Sequence, residues 1–329
     1  MSAAVELPSS ARRPLMSEAV LRDLRCPICR GPLDCAEDSC RCRSRDCQAA
    51  FPWLGRAPVL INEARSVFTI EGFLKQEPTF FKPTSKLRRW LSGCVPDLSH
   101  NLAARRVLMQ MRELLVQRQQ RPRVLVIGGS VVGVGVEAMH DDPAIELVES
   151  DAACGPRVQV VCDAHDLPFA DGSFDGVIVQ AVLEHVLDPQ RCVGEIHRVL
   201  KAGGLVYADT PFVCQVHGRE FDFTRYSRLG HRRLFRQFGE LESGISSGPG
   251  MALGWTARYF LLSFFQHRLL RAGVSALARL TLFWLKYLDY LVLDNPSALD
   301  AAFAFYFLGE KRRESLADAD LIRSYRGGF

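Results

Sequence analysis

From residue 124 onward, the apolar positions of this chain gather into short, continuous runs separated by amphipathic stretches. Val124 to Ile127 is the first run, as expected for a strand buried on both faces. "AIELVE", "VQVVC", "DGVIVQ" and "GGLVYADTP" repeat the pattern, with the helical "DPQRCVGEIHRVLK" before the last of them. Strand–helix alternation of this kind predicts an α/β protein with a parallel, doubly wound sheet and right-handed crossovers. "NLAARRVLMQMRELLVQRQQ" has apolar residues three and four apart and predicts a helix packed on the sheet just before its first strand. "FGELESGISSGPG" and "FAFYFLGEKR" predict a sixth and a seventh strand.

Residues 250–300 are unusually apolar. "ALGWTARYFLLSFFQHRLL" and "VSALARLTLFWLKYLDYLVL" approach bilayer length but are interrupted by Arg258, His267, Arg279, Lys286 and Asp289. They predict amphipathic helices rather than membrane spans. A hydrophobic cap is the leading expectation; a dimer interface, or membrane-surface contact through residues 252–293, are the others.

The chain is long enough for one large or two modest domains, at 329 residues, 48% hydrophobic and 24% charged. The net charge of +4, from 41 basic and 37 acidic residues, is too balanced to argue for nucleic acid. The first residues, "MSAAVELPSSARRPLM", have no signal-peptide core and read as a flexible leader, residues 1–20. Eleven cysteines, an odd number, fit a reducing, cytoplasmic setting better than a disulfide framework.

Several of those cysteines cluster in residues 21–62. Cys26 and Cys29 have C-x-x-C spacing, which points two thiolates at one tetrahedral centre. Cys47 is the expected fourth ligand and Cys42 the third, with Cys40 a rival. A segment this short buries little core, so a structural zinc would supply the missing stability. Its tail, "FPWLGRAPVLIN", is similar to the Y-P-x-x-x-G-x-P-x-L ending of the zinc-ribbon in the small activator subunit of tRNA and protein methyltransferases. Residues 63–98, basic and broken by prolines, read as a connector to a main domain at 99–329.

In such sheets ligands bind at the carboxyl ends of the strands. After the first strand comes "GGSVVGVG". A dinucleotide fingerprint wants G-x-G-x-x-G, but here Gly128 and Gly133 flank Ser130, whose side chain obstructs a pyrophosphate. NAD and FAD are disfavoured. After the second strand comes Asp151, placed to accept both hydroxyls of a ribose, with Glu149 as a neighbour able to exchange roles. Asp163 follows the third and could accept from an exocyclic amine.

Together, "DAHDLPFADGSFDGVIVQAVLEHVLDP" and "EIHRVLKAGGLVYADTPF" resemble the class I S-adenosylmethionine-dependent methyltransferases, particularly the bacterial ubiquinone-biosynthesis type. The resemblance implies a seven-stranded Rossmann-like sheet whose last two strands are antiparallel, so that 250–300 is a helical insertion before the last strand. It implies S-adenosyl-L-methionine as cofactor, with Gly128, Gly129 and Gly133 at its amino-acid end. Asp151 would then sit at the ribose, Asp163 and Ala164 at the adenine, and Gln180 and Glu184 along the pocket. Glu184 and His185 match an L-E-H motif.

"DTPFVCQVHGREFDFTRYSRLGHRRLF" follows at the pocket mouth. His217, Asp222 and Arg225 match an H-x-x-x-x-D-F-x-R pattern of the similar enzymes, and with Tyr226 and His231 they are acceptor-site candidates. An oxygen acceptor would need a general base, for which His217 is the first candidate and His185 the second. A small-molecule, glycan or lipid-linked acceptor is the expectation. An RNA methyltransferase and a non-catalytic binding protein of the same fold are the rivals.

Overall fold

The structure is a computed structural model that describes residues 16–36, 39–75, 93 and 95–328. The first fifteen residues of the expected leader, and most of the basic part of the expected connector, lie outside the described residues.

Strands β1 (Leu33–Cys35), β2 (Ser39–Cys42), β3 (Ala50–Leu54) and β4 (Ala57–Leu60) form an antiparallel meander. A two-residue loop joins β3 to β4, with Gly55 at φ +62°, a backbone region open to glycine but costly for other residues. Seven strands follow: β5 (Arg123–Ile127), β6 (Glu146–Asp151), β7 (Val160–Cys162), β8 (Phe174–Gln180), β9 (Leu200–Pro211), β10 (Phe238–Ser247) and β11 (Ala304–Lys311). They lie in the order β7-β6-β5-β8-β9-β11-β10. All pairs from β7 to β9 are parallel, while β11 is antiparallel to both β9 and β10.

Seven strands are not the whole sheet. β4 adds in parallel to β7, pairing Val59 with Val161 and Leu60 with Cys162, so the sheet has eleven strands. The cysteine-rich segment is therefore not a separate unit. Met16, Val20, Leu24 and Phe51 share one buried cluster with Leu125, Phe169 and Val177. The Arg25 amide donates to the Pro168 carbonyl at 2.9 Å, and Arg30 pairs with Glu195 at 2.9 Å. A segment too small to bury its own apolar residues has buried them on the sheet edge instead.

The helix Ala104–Arg118 covers one face with Val107, Leu108, Met111 and Leu115. Its first amides are capped by Asn101 Oδ1, which accepts from Ala104 N at 2.8 Å. The helix Pro189–Val199 covers the other face with Val193, Ile196 and Val199, and Asp188 caps it. Between β10 and β11 lie helices Pro249–Ser263 and Arg268–Leu282 and three shorter turns. Asp289 holds this bundle together by accepting from the amides of Gly250 (2.6 Å) and Met251 (3.2 Å). Among the described residues no helix is long and apolar enough to cross a membrane.

Candidate functional site

The carboxyl ends of β5 to β8 open onto a cavity of about 580 Å³, inside the range of roughly 300–1,000 Å³ seen for small-molecule sites. β5 and β8 are neighbours although β6 and β7 intervene in the chain, so the cavity sits at the switch point of the strand order. Gly128 ends β5 at φ +89°, and a Cβ there would come within 2.5 Å of Val182 Cγ2. Gly133 faces Gln180 so closely that a Cβ would lie 2.0 Å from its Oε1, a buried oxygen with no hydrogen-bond partner among the described residues. Asp151 Oδ2 accepts from the Ser130 amide at 2.8 Å, which ties the glycine loop to the end of β6. Burial pushes the Asp151 carboxyl up from its ordinary value, with the Ser130 bonds opposing. Gly128, Gly133, Asp151, Asp163, Ala164, Gln180 and His185 all line this cavity, as do Val67, Phe68, Phe221 and Phe223, which supply an apolar roof.

Two expectations fail here for packing reasons. Gly129 does not line the cavity; it is small because a Cβ would press within 2.8 Å of Glu149 Cβ. Glu149 does not share the role of Asp151, since it is buried and its carboxylate is taken by His140 Nε2 at 2.6 Å.

Asp163 is already engaged. His165 Nδ1 donates to its Oδ1 at 2.5 Å and Ser66 to its Oδ2 at 2.5 Å. His165 Nε2 accepts from the Asp188 amide at 3.0 Å, which places the ring proton on Nδ1. Despite burial, these bonds hold the Asp163 carboxyl below its ordinary value. Ser66, Val67 and Phe68 come from the stretch read as a connector, and they had no motif to mark them. His165 stood in the "DAHDLPF" motif and could have been read as the partner of Asp163 two residues earlier.

A second cavity, of about 280 Å³, meets the first at Gln180 and Ala181. Ala181 adopts φ +53°, an unfavourable conformation for a residue with a side chain, and its amide donates to the Asp209 carbonyl at 2.9 Å. The helical insertion contributes Met251, Trp255 and Tyr259 to its wall. Asp209 lies at its base, fully buried and pushed up to about 6 by burial, with Ser246 and Asn101 donating to it. Glu184, expected along the cofactor pocket, lines this second cavity instead. Trp255 and Tyr259 were not singled out from the sequence, because helical spacing alone does not show which face of an insertion turns inward; Asn101, just before the helix Ala104–Arg118, had no motif to mark it.

His217 lines the second cavity, but Asp222, Arg225 and Tyr226 line neither, contrary to their reading as acceptor contacts. Asp222 accepts from the amides of His217 (2.7 Å) and Gly218 (2.8 Å). Arg225 forks onto both Asp222 oxygens and also donates to the carbonyls of Cys214 and Gln215. Arg225 and these amides hold the Asp222 carboxyl far below its usual range against the effect of burial. The pair shapes the loop that carries His217. Neighbouring Cys214 and Glu184 push His217 up to about 10, which disfavours its reading as a general base. Burial holds His185 below its ordinary value. His231, another member of that acceptor-site set, is buried against Phe235.

At the other end of the sheet the sulfurs of Cys26, Cys29, Cys42 and Cys47 lie within 4.8 Å of one another. The Cys26–Cys47 and Cys29–Cys42 separations are 3.7 and 3.4 Å; sulfurs at about 2.3 Å from a tetrahedral zinc stand about 3.8 Å apart. Amides of Gly31 and Ser44 point at Cys29 and Cys42. The four residues fit a zinc ion. Cys40 is not a rival ligand: it faces Cys35 across the β1–β2 hairpin and is bonded to it as a disulfide. That bond also departs from the expectation that cysteines outside the metal set are reduced.

Residues 128–208 match the family model described as a methyltransferase domain. An uncharacterized methyltransferase of Mycobacterium sp. (strain JLS) is 40% identical over 139 residues, covering 38% of this chain and 51% of that protein. A demethylmenaquinone methyltransferase of Clavibacter sepedonicus is 39% identical over 72 residues, covering 22% and 29%. The match thus spans about half, or less, of the length of these relatives. Among solved structures, geranyl diphosphate C-methyltransferase from Streptomyces coelicolor A3(2) is 15% identical over 62% of this chain and 76% of that one, at a TM-score of 0.39. Residues 128–208 are thus similar to a methyltransferase domain, and that stretch holds the glycine loop after β5 and strands β6 to β9 of the order described above.

Proposed function

We propose that the protein transfers a methyl group from S-adenosylmethionine to an apolar small-molecule or lipid-linked acceptor. The observation that carries this is the pair of cavities joined at Gln180 and Ala181. The larger suits the cofactor, with Asp151 for the ribose, the Asp163–His165–Ser66 group beside the adenine, and Gly128 and Gly133 allowing close backbone approach. The bound cofactor supplies a methyl carbon already activated on a sulfonium. The chain's own task is then alignment and exclusion of water. Phe68, Phe221 and Phe223 roof the cofactor side, and Met251, Trp255 and Tyr259 wall the acceptor side.

The acceptor class rests on the insertion. Its outer surface exposes Phe260, Phe264, Leu269, Leu277, Trp284 and Leu291. Arg268 and Arg271 are exposed beside them, with Arg258 and Arg279 half-buried; Lys286 and Asp289 are buried, and Asp294 is an exposed carboxylate at the end of the insertion. An apolar face with basic neighbours suits contact with an anionic lipid surface. Zinc on the four cysteines would be structural, because four protein ligands leave no open position.

The test is transfer of labelled methyl from S-adenosylmethionine to a panel of acceptors graded in apolarity, with Trp255→Ala alongside. We expect apolar acceptors to be labelled. The variant should raise the acceptor KM by roughly tenfold, the equivalent of about 1.4 kcal/mol, at unchanged cofactor affinity. Preference for polar acceptors, or an unmoved KM, would refute the acceptor assignment.

A further inference from the structure

Where the two cavities meet, three side chains converge that the proposed methyl transfer does not require. The ligand atoms of Glu184, His185 and His217 all lie within 4.8 Å of one another. Glu184 is 1% exposed, and neither carboxylate oxygen has a hydrogen-bond partner among the described residues. A buried carboxylate without partners carries a large desolvation cost and calls for a counter-charge.

Both imidazoles present the same nitrogen to it. His185 Nε2 is 3.6 Å and His217 Nε2 3.7 Å from Glu184 Oε1. In each ring Nδ1 is turned the other way, toward a backbone carbonyl: Phe221 O at 2.6 Å for His185, and Gln215 O at 3.2 Å for His217, whose Nδ1 also lies 3.4 Å from Arg225 Nη2 and 3.6 Å from Cys214 Sγ. An imidazole that donates from Nδ1 to a carbonyl and offers Nε2 is oriented as metal-binding histidines are. Glycine at 218 permits the approach, since a Cβ there would fall 2.5 Å from His185 Nδ1. The Asp222–Arg225 pair pins the same loop from behind.

The spacing favours a cation over a proton. An imidazolium that satisfied Glu184 directly would sit at about 2.7–2.9 Å. Two ligands that each lie about 2.1 Å from one metal ion stand roughly 3.4 Å apart in tetrahedral geometry, close to the separations here.

We infer that Glu184, His185 and His217 form a site for a divalent first-row cation, with open coordination positions toward the second cavity. Two imidazoles and one carboxylate leave room for water or a ligand oxygen. Such an ion would neutralise Glu184 and hold an acceptor oxygen beside the junction of the cavities. That last role rests on the proposed methyl transfer; the site itself does not.

The test uses full-length protein with zinc on its cysteines, titrated with Mn²⁺ alone and followed by electron paramagnetic resonance. Mn²⁺ prefers oxygen and nitrogen ligands and does not compete for the thiolates. We expect one Mn²⁺ per chain, with stoichiometric binding lost in Glu184→Gln and His217→Ala and kept in Cys29→Ser. Electron spin-echo modulation of the wild-type complex should show imidazole nitrogen bound to the ion, a readout that needs no variant to fold. Absence of Mn²⁺ binding, binding unchanged in Glu184→Gln, or a spectrum with oxygen ligands only would overturn the inference. S-adenosylmethionine is omitted from the titration, so a failure of the methyltransferase reading leaves this result interpretable.

Discussion

His231 offers a quantitative test of the packing beneath the acceptor-side loop. It lies on the short helix Arg228–Leu234, 3% exposed, with its ring edge-on to Phe235 at 5.2 Å and with Nε2 buried and without a hydrogen-bond partner among the described residues. Burial, with help from the neighbouring Arg232 charge, pushes its pKa from 6.5 down to about 3. Below pH 6.5 the unfolded chain takes up a proton there that the folded chain refuses until about pH 3. Acidification through that window therefore favours unfolding. At pH 5 the gap from 6.5 is about 1.5 units, and at about 1.36 kcal/mol per unit this removes roughly 2 kcal/mol relative to pH 7.5. His231→Phe deletes the titrating group while keeping a planar ring among Phe235, Phe307 and Tyr226. Urea unfolding of both proteins at pH 7.5 and pH 5.0 isolates the effect, because every other titrating group is common to the two. The variant should lose about 2 kcal/mol less than the wild type between the two pH values. Equal pH dependence in the two proteins would refute the reasoning, as would a large loss of methyl transfer in the variant, which would return His231 to the site.

Gly128→Ala should cost about 1–3 kcal/mol of stability by thermal or chemical unfolding, because φ +89° and the contact with Val182 both oppose a side chain. Metal analysis of purified protein should find zinc lost in Cys42→Ser and retained in Cys40→Ser, since Cys40 is committed to Cys35. Stripping zinc with a chelator should lower the unfolding temperature of the whole sheet in one transition, because the cysteine segment shares its buried cluster with β5 and β8. Asp222→Ala should lower turnover with little change in cofactor affinity, since it frees the His217 loop and touches no wall of the larger cavity.

The central strands were legible because parallel strands covered on both faces must be continuous apolar runs, and "VLVI" and "GVIV" can be little else. The residues of the larger cavity were legible because their spacing from strand ends is local: Asp151 ends β6, Asp163 follows β7 directly and Gln180 ends β8. What needed the structure was long-range. Nothing in "APVL" reveals that Val59 will pair with Val161, so the eleven-stranded sheet and its shared core were hidden. Side-chain direction was hidden as well. Glu184 stood in a recognisable motif, yet which of the two cavities it faced depended on the turn at Ala181. Asp222 and Arg225 carried a family pattern, and their bonding to the His217 loop turned an acceptor reading into a positioning one.

The central claim is that the cavity at the β5–β8 switch point holds S-adenosylmethionine. Calorimetric titration of the purified protein with S-adenosylmethionine tests it, with S-adenosylhomocysteine and NAD as comparisons and Asp151→Ala as the control. The account predicts saturable one-to-one binding of both S-adenosyl compounds, none of NAD, and affinity weakened in the variant. Folded protein that binds neither S-adenosyl compound, or that binds them equally well without the Asp151 carboxylate, would contradict it.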